Sequence, residues 1–367
     1  MNPRVKFVPP VTEQKRFFHV LRKRVDDYFL EGNITPHANA TMVIKTLSMF
    51  AMYLIPYALI LTLNIPLWQM WILTAIMGVG LAGIGLSVMH DANHGAYSAN
   101  KYINQILGFT LDLIGGSSTN WKVQHNILHH TYTNIPGMDE DIRERVIIRL
   151  SPEAKRYKIH WFQHYYAVFF YGFMTFTWVA YKDVMQFIQY SKTDMIKNRG
   201  MELFKLIATK IIYYSYIAVI PLMVLDITWW QFLIGFVTMH YIAGMILAVI
   251  FQMAHVVEET SMPTPTEHGT IENLWAIHQL ETTANFSNGN RILNWYAGGL
   301  NFQIEHHLFP KICHVHYTEI SKIVKKTAEE FGVPYYQKKD LKEAMESHLR
   351  LLKQLGRNEH APAIHAH

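Results

Sequence analysis

The sequence predicts an all-α integral membrane protein with four transmembrane helices, arranged as two hairpins, and a cytosolic helical cap that holds a histidine-rich metal site. Two observations carry this prediction. Apolar residues are concentrated in long intervals that contain almost no charge, and histidines are concentrated in three short clusters that follow or flank those intervals. The fold is therefore predicted from where charge is missing and where imidazole is gathered.

Charge is scarce, and its absence is localised. Of the 367 residues, 50% are hydrophobic and 17% are charged, against about 25% charged in an average soluble domain. No charged residue lies between Lys45 and Asp91, and only Asp226 interrupts the interval between Lys210 and Glu258. Because a transmembrane helix needs about 20 apolar residues, each interval is long enough for two.

The remaining composition narrows the function classes. The net charge of +5 fits contact with anionic lipid headgroups, and no basic run interleaved with aromatic residues indicates a nucleic-acid surface. Cys313 is the only cysteine, which excludes an intrachain disulfide, a cysteine-based zinc site and an iron–sulfur cluster. The chain therefore offers imidazole rather than thiolate to a metal.

The N-terminal segment, residues 1–40, is predicted to be cytosolic or interfacial. It is polar and basic, and an apolar pattern runs from Phe17 to Leu30. We expect this stretch to form a helix that lies against the membrane, with an ordinary solvated leader as an equal alternative. The first long apolar run begins near Thr41, too late for a cleaved signal peptide, so we expect the N-terminus to be retained.

The membrane domain is predicted over residues 41–310, and its two hairpins have the same plan. In each, two apolar segments flank a three-residue turn, Asn64-Ile65-Pro66 in the first and Asp226-Ile227-Thr228 in the second. Tryptophans follow each turn, as in the aromatic belt at a membrane interface. The four predicted spans are residues 41–63, 67–89, 203–225 and 228–254.

Between the hairpins, the segment of residues 160–182 is predicted to lie at the membrane interface. Its apolar part, from Ala167 to Ala180, is short for a span. One more crossing here would also place the third histidine cluster on the opposite side of the membrane from the first two. The acidic run from Asp139 to Arg145 is predicted to be a solvated face.

Charge also predicts the orientation in the membrane. Both hairpin turns lack lysine and arginine, whereas residues 1–45, 92–210 and 258–357 carry all of them. By the positive-inside rule, both termini and all three histidine clusters are expected in the cytosol. Residues 311–367 are predicted to form cytosolic helices followed by a disordered, histidine-containing tail.

Three short clusters hold seven of the 21 histidines. Imidazole is a common ligand of iron, zinc, copper and nickel, so this clustering indicates a metal site. Four-residue spacing within two clusters puts those histidines on one face of a helix, and seven nitrogens exceed the need of one ion, which indicates two metals. The clusters are His90–His94, His125–His130 and Gln303–His307. His255 ends the fourth span as His90 ends the second, so we expect it near the metals.

The other histidines are predicted to have structural or surface roles, because such roles outnumber metal ligation for an isolated histidine. They are His19, His37, His268, His278, His314, His316 and His348. His160 and His164 have ligand-like spacing but precede the aromatic interfacial segment, and they are assigned to it. His240 lies in the middle of a span, where a hydrogen bond to a neighbouring helix is its simplest role.

These motifs resemble those of the membrane fatty acid desaturase family. The marks are His-x-x-x-His at 90–94, His-x-x-x-His-His at 125–130 and Gln-x-x-His-His at 303–307. The longer stretches HNILHHTYTN (125–134) and NFQIEHHLFP (301–310) are similar to the front-end branch, which includes delta-5, delta-6 and linoleoyl-CoA desaturases. The resemblance covers about residues 40–325.

The resemblance implies a di-iron site on the cytosolic side of a four-span bundle. The ligands it implies are His90, His94, His125, His129, His130, His255, His306 and His307. Gln303 stands where many desaturases have histidine, and it is expected as a weak ligand, a water-mediated ligand or a donor to a ligand. Asp91 and Glu305 are expected to accept hydrogen bonds from ligand N–H groups, with a surface carboxylate as the alternative for Glu305.

The same resemblance implies the reaction and its partners. The expected activity is O2-dependent formation of a cis double bond in a fatty acyl chain, carried by coenzyme A or a membrane lipid, at position 6 or 5 of an already unsaturated chain. A redox metal is needed because an unactivated methylene has no acidic proton. No His-Pro-Gly-Gly haem motif occurs, so no bound haem is expected and electrons are expected from a separate ferredoxin or b-type cytochrome.

Alternatives of two kinds are left open by the motifs. A related di-iron membrane hydroxylase, or an enzyme that modifies sphingolipids or carotenoids, fits the three boxes, whereas NFQIEHHLFP favours acyl desaturation. From other classes, a metal transporter would place its ligands near the middle of the bilayer, and a bis-histidine haem protein would need only paired ligands. The clustered histidines lie at or beyond the predicted span ends, which argues against transport.

Overall fold

The computed structural model describes residues 5–9, 12–143 and 146–359, and this part of the chain is predominantly helical. The tail beyond residue 359 and residues 144–145 of the acidic run lie outside the described residues. The α-helices are α1 (Thr12–Glu31), α2 (Ala40–Thr62), α3 (Leu67–Gly83), α4 (Met89–His94), α5 (Lys101–Gly108), α6 (Thr110–Leu113), α7 (Ser118–Trp121), α8 (His130–Tyr132), α9 (Gln163–Tyr171), α10 (Met174–Thr177), α11 (Asp183–Lys192), α12 (Arg199–Tyr214), α13 (Ile220–Val224), α14 (Trp229–His255), α15 (Trp275–Thr282), α16 (Arg291–Tyr296), α17 (Gln303–Leu308), α18 (Tyr317–Glu330) and α19 (Leu341–Arg357).

Short segments of other regular structure connect these helices. The π-helical segments are Ile84–Val88, Lys122–His129, Trp178–Lys182 and Ser215–Val219, and the 3-10 segments are Lys158–Phe162 and His314–His316. The strands form two parallel pairs, β1 (Lys6–Phe7) with β2 (Thr270–Ile271) and β3 (Ala284–Phe286) with β4 (Tyr336–Lys338). Each pair joins segments far apart in sequence.

Within the described residues, four helices are long and apolar enough to cross a membrane. They are Ala40–Thr62, Leu67–His94, Arg199–Val224 and Trp229–His255. Their ends lie within five residues of the predicted spans, so the predicted fold class is confirmed. The largest difference is in the second span, where α3 continues through the π-helical segment Ile84–Val88 into α4. The first histidine cluster therefore lies on the last turns of that span.

The segment predicted to lie at the interface folds as a series of short helical pieces. α9 ends at Tyr171, and the next helical run extends from Met174 to Lys192. That run carries Lys182 and Asp183 in its interior, and it is not among the four helices with the composition of a span. Its position at the interface stays a prediction.

The chain divides into two compact units. Unit 1 comprises residues 1–37, 124–167 and 250–367, and unit 2 comprises residues 38–123 and 168–249. Unit 1 therefore combines the N-terminal helix, the second and third histidine clusters and the C-terminal helices. Unit 2 contains the first histidine cluster and most of the length of the four candidate spans.

In unit 1, helix α1 is part of the protein core. Its apolar stripe of Phe17, Leu21 and Val25 is buried in a cluster that includes Ile320 and Val324 of α18. The expectation that α1 lies against the membrane is wrong, because the face that would meet lipid is covered by other helices of unit 1. Amphipathic spacing predicts that an apolar face is buried, but it does not say against what.

In unit 2, glycines let the spanning helices approach closely. A Cβ atom on Gly80 of α3 would lie 2.7 Å from the backbone nitrogen of Tyr53 in α2. A Cβ atom on Gly78 would lie 2.6 Å from the carbonyl oxygen of Met239 in α14. Any larger residue at either position would force the helices apart, which is the role that small residues commonly have between helices in membranes.

His240 has the structural role predicted for it. Its Nε2 atom lies 2.6 Å from the hydroxyl oxygen of Tyr213, and its Nδ1 atom lies 3.1 Å from the hydroxyl oxygen of Thr175. Both partners come from other helices of unit 2. The polar ring is thus satisfied inside the bundle, and the prediction of a hydrogen bond to a neighbouring helix is confirmed.

Candidate metal centre

Three imidazoles in unit 1 converge on one point. His129, His255 and His307 are buried, and one ring nitrogen of each lies within 4.8 Å of the corresponding atoms of the other two. The Nε2 atoms of all three are buried and have no hydrogen-bond partner among the described residues. Buried polar atoms are normally paired, so three converging nitrogens without partners fit the ligand set of a metal ion. We call this group cluster A.

The opposite nitrogen of each imidazole in cluster A has an acceptor. The Nδ1 atom of His129 lies 3.0 Å from the Oδ2 atom of Asp139, and that of His307 lies 2.8 Å from the Oε1 atom of Gln279. The Nδ1 atom of His255 lies 3.3 Å from the carbonyl oxygen of Thr282. Each acceptor favours the tautomer with hydrogen on Nδ1, which leaves the Nε2 lone pair for a metal.

Asp139 corrects one expectation from the sequence. The acidic run was expected to be a solvated face, but the Asp139 side chain is buried. Its carboxylate also accepts hydrogen bonds from the backbone N–H groups of Asn134 and Asp141. Burial by itself lowers the pKa of His129, but the carboxylates of Asp139 and Asp141 outweigh burial and raise this pKa to about 9. The negative charge of Asp139 thus stabilises positive charge at His129, whether a proton or a metal supplies it.

A second group of three imidazoles, cluster B, lies next to cluster A in unit 1. The Nε2 atom of His130 lies 2.9 Å from the Nε2 atom of His306 and 3.2 Å from that of His125. The hydroxyl of Tyr317 lies 3.3 Å from the Nδ1 atom of His306. The three Nε2 atoms therefore face one another, an arrangement that a shared cation would stabilise. The rings of His130 and His307, one from each cluster, stack with centroids 4.3 Å apart.

Gln303 is buried beside cluster A. Its amide lies next to the imidazole of His255, and neither amide atom has a hydrogen bond of ordinary geometry among the described residues. A buried amide with both polar atoms unpaired costs free energy unless a further partner is present. The position thus suits an amide oxygen ligand or a donor to a metal-bound group, as two of the sequence-based expectations had it.

Glu305 has a different role from the one expected. Its carboxylate accepts hydrogen bonds from the side-chain amide of Asn285 at 2.8 Å and from the hydroxyl of Tyr335 at 3.0 Å. Asn285 also accepts from the backbone N–H of Ile304. Glu305 therefore fixes α17 to strand β3 and the chain before β4 rather than contacting an imidazole. Burial raises the pKa of Glu305 to about 7, against the lowering effect of Asn285 and Tyr335.

The first histidine cluster lies in unit 2. The rings of His90 and His94 pack edge to face with centroids 4.8 Å apart, and both rings contact Trp121. The Oδ1 atom of Asp91 is 3.6 Å from the Nδ1 atom of His90, longer than a hydrogen bond, and the role of Asp91 as an acceptor for ligand N–H groups stays a prediction. The two imidazoles nevertheless share one helix face, as their spacing predicted.

Local backbone structure differs from the regular helix that the spacing suggested. His125 and His129 lie in the π-helical segment Lys122–His129, and their rings stack with centroids 5.3 Å apart. π-Helical turns often occur at functional sites. Here the wider turn still places the two rings of the second cluster side by side.

Several other histidines have structural roles. His160 is held by the backbone N–H of Tyr157 and the carbonyl oxygen of Val146. His278, His316 and His348 donate to backbone carbonyl oxygens at 2.7–3.1 Å. These contacts confirm structural roles for His278, His316 and His348, and they give His160, which the sequence assigns to the interfacial segment, a structural role as well.

The site also contains residues that the sequence analysis missed. Asp139, Gln279 and Asn285 carry acceptors or donors that position histidines or their helices. Only Asp139 had a signal in the sequence, because the turn at Pro136-Gly137 returns the chain toward the second cluster. Gln279 and Asn285 belong to none of the histidine motifs in the sequence. Only the tertiary fold brings them to the site.

Unit 2 contains an apolar cavity of about 320 Å³ between its spanning helices. It lies at the ends that carry the two hairpin turns, and residues from α2, α3, α13 and α14 line it. Aromatic rings contribute much of the wall, including Tyr57, Trp68, Trp71 and Phe236. The surface suits a hydrocarbon chain rather than a polar ligand.

Comparison with known proteins agrees with this site. The family described as "Fatty acid desaturase" matches residues 66–339. The chain belongs to this family, and it is a membrane-bound oxidoreductase that desaturates fatty acyl chains. The family predicted from the histidine boxes is thereby confirmed.

Similar proteins cover nearly the whole chain. It is 38% identical over 358 residues to the sn-1 linoleoyl-lipid 6-desaturase of Synechocystis sp.. The matched region covers 96% of this chain and 98% of that protein. It is 35% identical to the protein of the same name from Arthrospira platensis, covering 94% of both. It is also 34% identical to the acyl-lipid (8-3)-desaturase of Physcomitrium patens, covering 95% of this chain and 73% of that protein.

Proposed function

We propose that this enzyme introduces a cis double bond at position 6 of a linoleoyl chain that is esterified to a membrane glycerolipid. The observation that carries the proposal is the similarity to two proteins named sn-1 linoleoyl-lipid 6-desaturase, which extends over nearly the full length of each. The Gln-x-x-His-His box of the front-end branch supports it. In this reaction the new double bond forms between an existing double bond and the carboxyl end of the acyl chain.

The test is fatty acid analysis of a host that lacks its own desaturases, expresses this chain and is fed oleate, linoleate or alpha-linolenate. A product of linoleate with one additional double bond at position 6 is expected. A new bond at position 5 would revise the regiochemistry but keep the front-end class. A hydroxylated product would contradict the proposal and favour the hydroxylase alternative.

The lipid carrier needs a separate measurement. Purified enzyme in nanodiscs should convert glycerolipid-bound linoleate, and it should not convert linoleoyl-CoA when the nanodisc lipids carry no linoleate. Positional hydrolysis of the product lipid then reports whether the new chain is at the sn-1 position. Conversion of the thioester alone would overturn the carrier assignment.

We also propose that the histidines hold two iron ions. Clusters A and B supply six imidazoles, and His90 and His94 are included because of their sequence motif alone. Iron bound there would supply the O2-dependent oxidation of an unactivated methylene, for which protein side chains have no equivalent. Imidazole nitrogen and, at Gln303, an amide oxygen are chemically suitable ligands for iron.

The protein's own residues prepare this site in three ways. Asp139 and Gln279 orient the imidazoles of His129 and His307. Glu305 and its partners hold the helix that carries the third cluster. Burial of the six imidazoles keeps bulk water away from the site, which strengthens its electrostatic interactions and limits side reactions.

Substitution of ligand histidines tests the iron proposal. His129→Ala and His306→Ala should each lower the iron bound per chain and abolish desaturation, while the protein still inserts into membranes. His268→Ala is the control, because His268 is an exposed histidine outside both clusters. Full iron content and activity in both ligand variants would overturn the assignment.

The apolar cavity of unit 2 is proposed to hold the methyl end of the acyl chain. Its aromatic and aliphatic lining supports this proposal. The length of the cavity would then contribute to the choice of substrate chain.

Both termini and the metal centre are proposed to be cytosolic, because lysine and arginine are absent from the two hairpin turns. Cysteine labelling tests this, since the native Cys313 is buried. A membrane-impermeant maleimide applied to intact cells should label Asn64→Cys and spare Lys325→Cys. The reverse pattern would invert the topology. An external ferredoxin or b-type cytochrome is proposed as the electron donor, and reconstitution with each identifies it.

A further inference from the structure

A group of cations surrounds an exposed tryptophan in unit 1. The guanidinium of Arg357, at the end of α19, lies 4.9 Å from the centre of the Trp161 ring, and that of Arg156 lies 5.8 Å from it. Lys155 and Lys158 flank Arg156 in the chain and are exposed. Lys353, one turn before Arg357, is exposed as well. We call this surface the basic–aromatic patch.

Ion pairs do not neutralise these cations. Among the described residues, no carboxylate lies within ion-pair distance of Lys155, Arg156, Lys158, Lys353 or Arg357. The Nε atom of Arg357 is buried and has no hydrogen-bond partner in that part of the chain. The positive field reaches the neighbouring His164, whose pKa is lowered by burial and by the charges of Arg357 and Lys353. The patch therefore concentrates positive charge that has no ion-pair partner in the described part of the chain.

The nearby Arg149 shows what a purely structural arginine looks like in this region. Its guanidinium donates to the carbonyl oxygens of Ala154 and Leu355 and to two further acceptors, and the residue is buried. Arg156 uses only its Nε atom, which donates to the carbonyl oxygen of Gly356. Arg149 thus donates to a carbonyl oxygen near the C-terminal end of α19. The terminal nitrogens of Arg156, by contrast, make no hydrogen bond to the described chain.

Apolar side chains share the same surface. Phe162 is 57% exposed and Tyr165 is 75% exposed, and Ile159 and Trp161 are exposed as well. Large exposed aromatic and aliphatic groups beside cations are typical of surfaces that enter the interfacial region of a membrane. A nucleic acid or a soluble anion would use the charges but would gain nothing from Ile159 and Phe162.

We propose that the basic–aromatic patch binds the anionic headgroup of a membrane lipid, with a phosphate or sulfonate group held by the cations and the acyl region against the exposed aromatic and aliphatic side chains. The charge complementarity and the adjoining apolar surface both favour an amphiphilic anion. Because Arg357 and Lys353 belong to α19 and Lys158 and Trp161 belong to the segment before α9, one bound lipid would bridge two segments of unit 1 that are far apart in the sequence. This proposal does not depend on the regiochemistry or the carrier proposed above.

The test is lipid binding by the full-length protein in detergent, measured by native mass spectrometry with phosphatidylglycerol and with phosphatidylcholine. The test variant is Lys158→Gln/Lys353→Gln/Arg357→Gln, because these side chains make no hydrogen bond to the rest of the described chain. Each cation near a membrane surface is worth about 1 kcal/mol, so affinity for phosphatidylglycerol should fall roughly fivefold per charge removed. Affinity for phosphatidylcholine should change little.

A matched control removes the same net charge elsewhere. Lys322→Gln/Lys325→Gln/Lys326→Gln changes three exposed lysines of α18, outside the patch. The proposal expects this control to keep the preference for phosphatidylglycerol. An equal loss in the control, or no loss in the test variant, would overturn it. Trp161→Ala should weaken binding of both lipids, which separates the aromatic contribution from that of charge.

Two other occupants give different results. If inorganic phosphate competes with phosphatidylglycerol at equal concentration, the patch is a site for a free anion and the lipid proposal fails. If the test variant raises the KM for the reduced electron donor but keeps its lipid preference, the patch is a docking surface for an acidic protein, which also overturns the proposal. Iron content should be unchanged in all variants, so a loss of the metal centre would be distinguished from a loss of lipid binding.

Discussion

The carboxylate of Asp139 lies 3.0 Å from the Nδ1 atom of His129, and both side chains are buried. This contact links a residue of the acidic run to a predicted ligand ten positions earlier in the chain. It fixes the tautomer of His129 and raises the basicity of its Nε2 atom, as hydrogen-bonded carboxylates commonly do for metal-binding histidines.

Replacing Asp139 should therefore weaken metal binding without removing a ligand. Asp139→Asn keeps the size of the side chain but removes its charge, and loss of such a partner typically costs 10- to 100-fold in metal affinity. Iron per chain, measured after dialysis against a chelator, should fall in the variant. Glu153→Gln, which changes an exposed carboxylate, is the control. Equal iron retention in Asp139→Asn and wild type would show that the contact does not tune the site.

The hydroxyl of Tyr335 should stabilise the helix that carries the third cluster. Tyr335→Phe removes one of the donors to the buried carboxylate of Glu305, and an under-paired buried group costs about 1–3 kcal/mol. We expect a lower midpoint of thermal unfolding in detergent and weaker iron retention. Tyr336→Phe, at the next position in the chain, should leave both unchanged, and similar effects of the two substitutions would contradict this role.

The stability of the protein should fall in acid because of buried neutral histidines. His348 is fully buried, and burial lowers its pKa to about 4, from about 6.5 when unfolded. The folded state therefore binds a proton at His348 more weakly than the unfolded state does. The contribution of neutral His348 to the free energy of unfolding is complete above pH 6.5 and is lost as the pH falls toward 4. The difference corresponds to roughly 3 kcal/mol.

Thermal unfolding in detergent between neutral pH and about pH 5 measures this effect. His348→Gln should flatten the pH dependence, although His278, whose pKa burial also lowers to about 4, will keep part of it. His268→Gln changes an exposed histidine and should leave the slope as in the wild type. A slope unchanged by His348→Gln would show that this residue does not carry the effect.

The cavity of unit 2 should limit the length of the acyl chain. Gly235 lines it, and a Cβ atom there would lie 3.4 Å from the side chain of Thr74. Gly235→Leu would fill part of the space, and one methylene in an apolar pocket is worth about 1–3 kcal/mol in specificity. The ratio of activity on a chain longer than linoleate to activity on linoleate should fall roughly tenfold or more. Val237→Leu, on the same helix but outside the lining, should keep the wild-type ratio.

The sequence predicts the spans and the histidine boxes well because both depend on local patterns. Long charge-free intervals have few structural solutions, since a polar backbone in lipid must form helices or a closed barrel, and intervals of this length suit helices. Four-residue spacing likewise places His90 with His94 and His125 with His129 in any helical geometry. These predictions need no knowledge of which segments meet in space.

The remaining parts of the site depend on contacts that span much of the chain. Gln279 meets His307, and Asn285 meets Glu305, only because the polypeptide folds back between them. The burial of α1 fails to follow from its sequence for the same reason, because its apolar stripe would suit lipid and protein equally. The sequence predicts a solvated face for the acidic run because runs of charges are usually solvated, whereas the side chain of Asp139 is buried against His129.

The three imidazoles of cluster A stand at positions 129, 255 and 307, and this spacing affects the order in which the protein can be made. A ribosome releases the last of them only after all four candidate spans have been synthesised. A nascent chain that stops before Gln303 has two of the three nitrogens and lacks the third histidine box. Cluster A is therefore complete only after the third histidine box has been translated, so a metal ion held by all three imidazoles would bind after the four candidate spans have been made.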